Sequence, residues 1–93
     1  MAALGPALGD VTDHLQLVRR MARASGSDLA EAMLEGQLTS ADWSQMVTNC
    51  RACISVESCR ARLAQLEMTS DRANAPNYCE NRASFDRLAR HPA

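Results

Sequence analysis

At 93 residues the chain has room for one domain. It carries only sixteen Leu, Val, Ile and Phe residues, a thin core for a chain of a size that buries roughly 60–65% of its unfolded surface. A formal charge of −1, with all ten basic residues Arg, excludes a broad nucleic-acid footprint, and no stretch reaches the ~20 apolar residues of a membrane helix.

The apolar spacing predicts helices throughout, with no sustained period-two alternation. Residues 1–9 are rich in Gly, Ala and Pro and are expected to be flexible, and residues 10–91 to form a single helical domain. A first helix is expected over 11–24, capped by Asp10 or Thr12, with Val11, Leu15, Val18, Met21 and Ala22 on its apolar face. His14 lies next to that face and is expected at the surface or half-buried. Ser25-Gly26 ends the helix, because Gly enters the left-handed region cheaply. Ser27 is expected to cap a second helix over 28–35 that turns Leu29, Ala30, Met33 and Leu34 inward, with Gly36 as its stop.

Thr39 with Asp42, or Ser40 alone, would cap a third helix. There Trp43, Met46, Val47 and Cys50 fall at i, i+3, i+4 and i+7, which places Cys50 at a helix end on the buried side. A fourth helix over 56–68 shares one face among Val56, Cys59, Leu63 and Leu66, with Cys59 in its first turn. After a polar loop, Pro76 and Asn77 announce a fifth helix. Asn77 to Glu80 reads as a capping-box variant, which would put Cys79 in the first turn. Tyr78, Asn81 or Arg82, Phe85 and Leu88 would continue its inner face. The expected fold is all-α, a compact bundle of about five short helices with a four-cysteine metal site joining the last three.

The four cysteines are spaced C-x2-C-x5-C-x19-C, at Cys50, Cys53, Cys59 and Cys79. The two-residue gap lets Cys50 and Cys53 straddle a helix–helix turn, whose amides point at whatever the sulfurs bind. Cys59 and Cys79, placed at helix starts, would have their thiol pKa lowered. Structural zinc most often pairs two C-x2-C knuckles. Three clustered cysteines plus a remote fourth suit a cubane iron–sulfur centre better. Arg51, Arg60, Arg62 and Arg82 stand within three residues of the cysteines, where guanidinium groups would offset the charge of a ligated cluster. The alternatives are structural zinc in a protein-interaction adaptor, two disulfides in an exported domain, or free thiols packed in the core.

The triplet Cys50-x2-Cys53-x5-Cys59 with a distant fourth cysteine resembles the cluster motif of the fumarate/nitrate-reduction oxygen regulators. It also resembles the last three cysteines of the cluster loop in endonuclease III-type DNA glycosylases. These resemblances imply a cluster on Cys50, Cys53, Cys59 and Cys79 and nothing about DNA, since the chain has no Lys to serve as the glycosylase nucleophile. Over most of residues 20–90 the chain also resembles an uncharacterised family of small bacterial four-cysteine proteins. That resemblance is carried by DLAEAMLEGQLT, by Met46-Val47-x-x-Cys50-x-x-Cys53 and by Tyr78-Cys79-x-Asn81.

The expected function is therefore a small soluble iron–sulfur protein holding one [4Fe-4S] cluster, for electron transfer or redox, oxygen or iron sensing. It would not be an enzyme, because four protein thiolates leave no iron open to substrate. It would work as a monomer or homodimer with a protein redox or regulatory partner, without nucleic acid or membrane, in the reducing cytoplasm. His91, in the tail, is expected to be solvated. The stripe of Arg82, Arg87 and Arg90 reads as an ordinary amphipathic surface.

Overall fold

A computed structural model describes residues 9–89. They form five helices: α1 (Val11–Ser25), α2 (Leu29–Leu34), α3 (Ser40–Arg51), α4 (Val56–Thr69) and α5 (Arg82–Leu88). No strand occurs among the described residues, so the fold is all-α. The expected flexible segment lies outside the described residues apart from Gly9, as do Arg90 and His91. No described helix is long and apolar enough to cross a membrane.

α1 is the central element, packed against α3, α4 and α5. Asp10 caps it, accepting from the Asp13 amide at 2.9 Å, and Gly26 closes it at φ 81°. Its buried face is His14, Leu17, Val18, Met21, Ala22 and Ser25: Val18, Met21 and Ala22 of the expected face are buried, while Val11 is exposed and Leu15 only partly buried. Positions i, i+3, i+4, i+7, i+8 and i+11 make that face as regular as the expected one, so periodicity alone did not decide between them. His14 is 5% exposed, where a surface or half-buried site was expected. The backbone at Gly9 covers its ring so closely that a Cβ there would overlap it. Its Nδ1 donates to the Asp10 carbonyl at 2.8 Å, which satisfies the buried imidazole.

α2 is a single short segment. Asp28, not Ser27, caps it, accepting from the Glu31 amide at 3.0 Å. Ser27 instead donates to the Phe85 carbonyl at 3.4 Å and ties this corner to α5. Only Ala32 of α2 is buried, and Leu34 is 88% exposed. Of the four residues expected inward, Leu29 packs at the core's edge and Ala30 is exposed, as are Met33 and Leu34. Six residues present too little face to bury them, and Leu38, after the left-handed turn at Gly36, fills the core beside Ala32 instead.

The full capping box at the start of α3 is present, with Asp42 donating its amide to Thr39 Oγ1 and accepting the Thr39 amide, both at 3.0 Å. Met46 and Val47 are buried, and Trp43 and Cys50 pack against the core from its edge. α4 buries Leu63 completely. A bidentate pair holds it to α1: Arg20 Nε and Nη2 each donate to a Glu67 carboxylate oxygen at 2.8 Å.

α5 starts later than the sequence suggested. Residues 77–81 form turns, with the Cys79 amide donating to Pro76 O at 3.0 Å and the Arg82 amide to Cys79 O at 3.1 Å. Cys79 therefore precedes the helix and does not sit in its first turn. Asn77 caps nothing, because its side-chain oxygen accepts from Arg82. Phe85 and Leu88 carry α5 into the core with Leu17, Val18 and Leu63.

Candidate metal centre

Four chain segments bring the cysteines together. Cys50 is in the last turn of α3 and Cys53 in the turn that follows, where the Cys53 amide donates to Cys50 O at 3.1 Å. The Ser55 amide donates to Cys53 Sγ at 3.4 Å. Cys59 lies in the first turn of α4, and Cys79 in the turn before α5. All four thiols are free and partly buried. They line one cavity of about 20 Å³ whose remaining wall includes Leu17, Val18 and Met21 of α1, Val56 and Phe85. α1 is thus the floor of the site, a contribution the local cysteine spacing did not announce.

A cavity of that size holds about one water molecule. Among the described residues, no group of three or more His, Cys, Asp or Glu side chains has the closed arrangement of an ion cage. The four cysteines line the cavity without being placed to hold an ion as they stand. A bound centre requires them to turn from the positions they occupy.

The electrostatics of the thiols run opposite to the expectation of lowered values. Burial, and then the neighbouring Cys59, Cys53 and Cys79, push Cys50 up to about 12. Cys59 is raised chiefly by burial and then by Cys79 and Cys53. Cys79 is raised by burial, partly offset by the Asn81 backbone amide. An apolar wall penalises a thiolate, and each additional thiolate repels the others. Burial and repulsion between the thiols outweigh the helix-start amides at Cys59, and Cys79 has no helix start at all. The same crowding makes the site an unfavourable place for four bare thiolates.

The cations are arranged differently from their order in sequence. Arg60 lies near Cys50 and Cys59 and favours their charged forms. Arg20 does the same for Cys59 from α1, a role its distance in sequence concealed. Arg51 turns away, its Nε donating to Gly9 O at 2.7 Å while the Gly9 amide returns to Arg51 O at 3.2 Å. Arg62 lies beside Tyr78, and Arg82 pairs with Asp86 at 3.4 Å. In the basic stripe, Arg87 donates to Gln37 O at 3.1 Å. Asn81 is a further residue of the site that spacing did not single out. It is 3% exposed and its Nδ2 donates to Met46 O at 2.8 Å.

Fold and site together define a small all-α domain built around four cysteines and an apolar floor. The chain belongs to the Family of unknown function (DUF6455), whose model matches residues 6–91. Comparison with curated proteins and with solved structures gives no match.

Proposed function

We propose that this chain is a small iron–sulfur protein in which Cys50, Cys53, Cys59 and Cys79 hold one [4Fe-4S] cluster for electron transfer or for redox, oxygen or iron sensing. The observation that carries this reading is that four cysteines from separate segments line one apolar cavity. A tetrahedral zinc ion needs its sulfurs about 3.8 Å apart, given Zn–S bonds near 2.3 Å. A cubane takes each thiolate on a different iron, and three clustered cysteines with a remote fourth are the spacing that suits it; the cavity of about 20 Å³ has to widen to admit it. When bound, the cluster supplies reversible one-electron chemistry.

The chain's own residues set its conditions. Each cysteine contributes one thiolate. The α1 floor and Phe85 limit water at the sulfurs, and Arg60 and Arg20 offset negative charge at Cys50 and Cys59. Arg51, Arg62 and Arg82 are engaged elsewhere, at Gly9, Tyr78 and Asp86. With four protein thiolates in place no iron is left for substrate, so the role is not enzymatic, and the partner is a redox or regulatory protein in a reducing compartment such as the cytoplasm.

The test is a set of single Cys→Ser variants prepared without oxygen. Each is expected to lose the iron and the visible thiolate-to-iron absorbance of the parent. Full retention of metal and stability by Cys79→Ser would show that the four do not share one centre. A colourless parent with one zinc per chain assigns the site to a structural adaptor instead.

A further inference from the structure

We infer that Asn81 is the positioning residue of the cysteine site, fixing where Cys79 stands relative to Cys50; the inference rests on the reading that the four cysteines share one centre. Asn81 is one of few buried polar side chains, and both ends of its amide are engaged with α3. Its Nδ2 donates to the carbonyl of Met46 at 2.8 Å. Met46 lies four residues before Cys50, so the same carbonyl is the one to which the Cys50 amide donates in an α-helix. Its Oδ1 accepts from Asn49 Nδ2 at 3.0 Å, and Asn49 is the residue next to Cys50. Asn49 is itself braced, accepting from Gln45 Nε2 at 2.8 Å. Cys79 lies two residues before Asn81, in the turn where the Cys79 amide donates to Pro76 O at 3.0 Å and its carbonyl accepts from the Arg82 amide at 3.1 Å.

One side chain thus fastens the turn that carries Cys79 to the carbonyl bonded to Cys50 and to the neighbour of Cys50. Cys50 and Cys79 are the two cysteines farthest apart in sequence, and Cys79 sits in a turn with no helix of its own to place it. Asn81 supplies that placement. It also accounts for the late start of α5, because a side chain committed to α3 holds residues 79–81 in turns. Asn81 lines the cavity beside the cysteines, but its side-chain amide is taken up by α3, so it acts by placing Cys79 and Cys50 and not as a ligand.

The experiment uses the full chain, stripped of metal and reduced, with Co(II) as the probe of the thiolates by its charge-transfer and ligand-field bands. Asn81→Asp keeps the shape and the acceptor toward Asn49 but puts a carboxylate oxygen against Met46 O. Asn49→Ala is the milder variant and removes one bond only. Asn81→Asp is expected to keep the helical circular dichroism and to bind Co(II) about 10–100-fold more weakly, the usual effect of removing an outer-shell partner. Asn49→Ala should lose severalfold. Leu38→Ala, a buried residue outside the cavity, is the control: it should lower the unfolding midpoint and leave Co(II) affinity unchanged. Hydrogen exchange at residues 78–81 should speed up in Asn81→Asp and Asn49→Ala but not in Leu38→Ala. Wild-type Co(II) affinity in both Asn variants, or an affinity loss in Leu38→Ala that matches theirs, overturns the inference while leaving the shared centre intact. A wild-type chain without thiolate–cobalt bands overturns the shared centre, and a positioning role for Asn81 with it.

Discussion

Raising the pH is expected to destabilise the metal-stripped, reduced protein, with Cys50 as the principal cause. Burial and the neighbouring thiols push Cys50 from an ordinary value near 9 to about 12, and Cys59 and Cys79 shift the same way. The folded state therefore holds these protons more tightly than the unfolded chain does. That advantage is complete below about pH 9 and is lost as pH rises toward 12. At about 1.4 kcal/mol per pH unit the Cys50 displacement corresponds to about 4 kcal/mol. Cys50 is only half-buried, and solvent screening reduces this to about 1–2 kcal/mol.

In urea, with a slope near 1 kcal/mol/M for a chain this small, the midpoint should fall by about 1–2 M between roughly pH 8 and the upper limit of the window. The chain is a clean subject for the assay, because it has no Lys to titrate over the same range. Tyr78, also raised, contributes alongside Cys59 and Cys79. Cys50→Ala, measured with reductant and chelator present, should remove a large part of the slope. A midpoint that stays level through pH 10.5, or a Cys50→Ala slope equal to that of the parent, would refute the burial and mutual repulsion assigned to the thiols. The metal-loaded protein should show the opposite sign and weaken on acidification, because protons compete with the metal for the sulfurs.

Leu63→Ala removes a side chain with no exposure in the core between α1 and α4 and should cost about 2–5 kcal/mol, read as a fall in the urea midpoint with unchanged slope. Arg20 and Glu67 form a partly exposed bidentate pair, and a double-mutant cycle of Arg20→Ala and Glu67→Gln should give about 0.5–1 kcal/mol that shrinks as salt is added. Arg20 holds the Glu67 carboxyl below its usual range, so this contribution is present at neutral pH and lost as pH falls through the acid range. Arg20→Ala should also slow the reaction of Cys59 with a thiol reagent in the metal-stripped protein, since it removes a cation that favours the Cys59 thiolate.

The legible parts of the fold were those written in local chemistry. Thr39 and Asp42 spell a capping box, Gly26 a left-handed stop, and Met46, Val47 and Cys50 a helix face, and all three are found. The grouping of the cysteines was readable from spacing, because C-x2-C-x5-C leaves the chain little freedom to separate its first three sulfurs. What escaped was decided by partners distant in sequence. The buried face of α1 keeps Val18, Met21 and Ala22 but is turned toward His14, over which the Gly9 backbone lies, and away from Val11. Asn77 and Glu80 resemble a cap, but Asn81 is drawn to Met46 O and delays the helix. The thiol values turned on burial against α1, which no cysteine motif encodes. Arg20 reaches Cys59 across the α1–α4 contact, whereas Arg51, adjacent to Cys50 in sequence, is taken up by Gly9.

The most direct test of the central claim is to purify the protein without oxygen and measure iron, sulfide, zinc and titratable thiols per chain. A brown protein with about four iron and four sulfide per chain is the predicted result. A colourless protein with one zinc, or a metal-free protein with no titratable thiols, would contradict it.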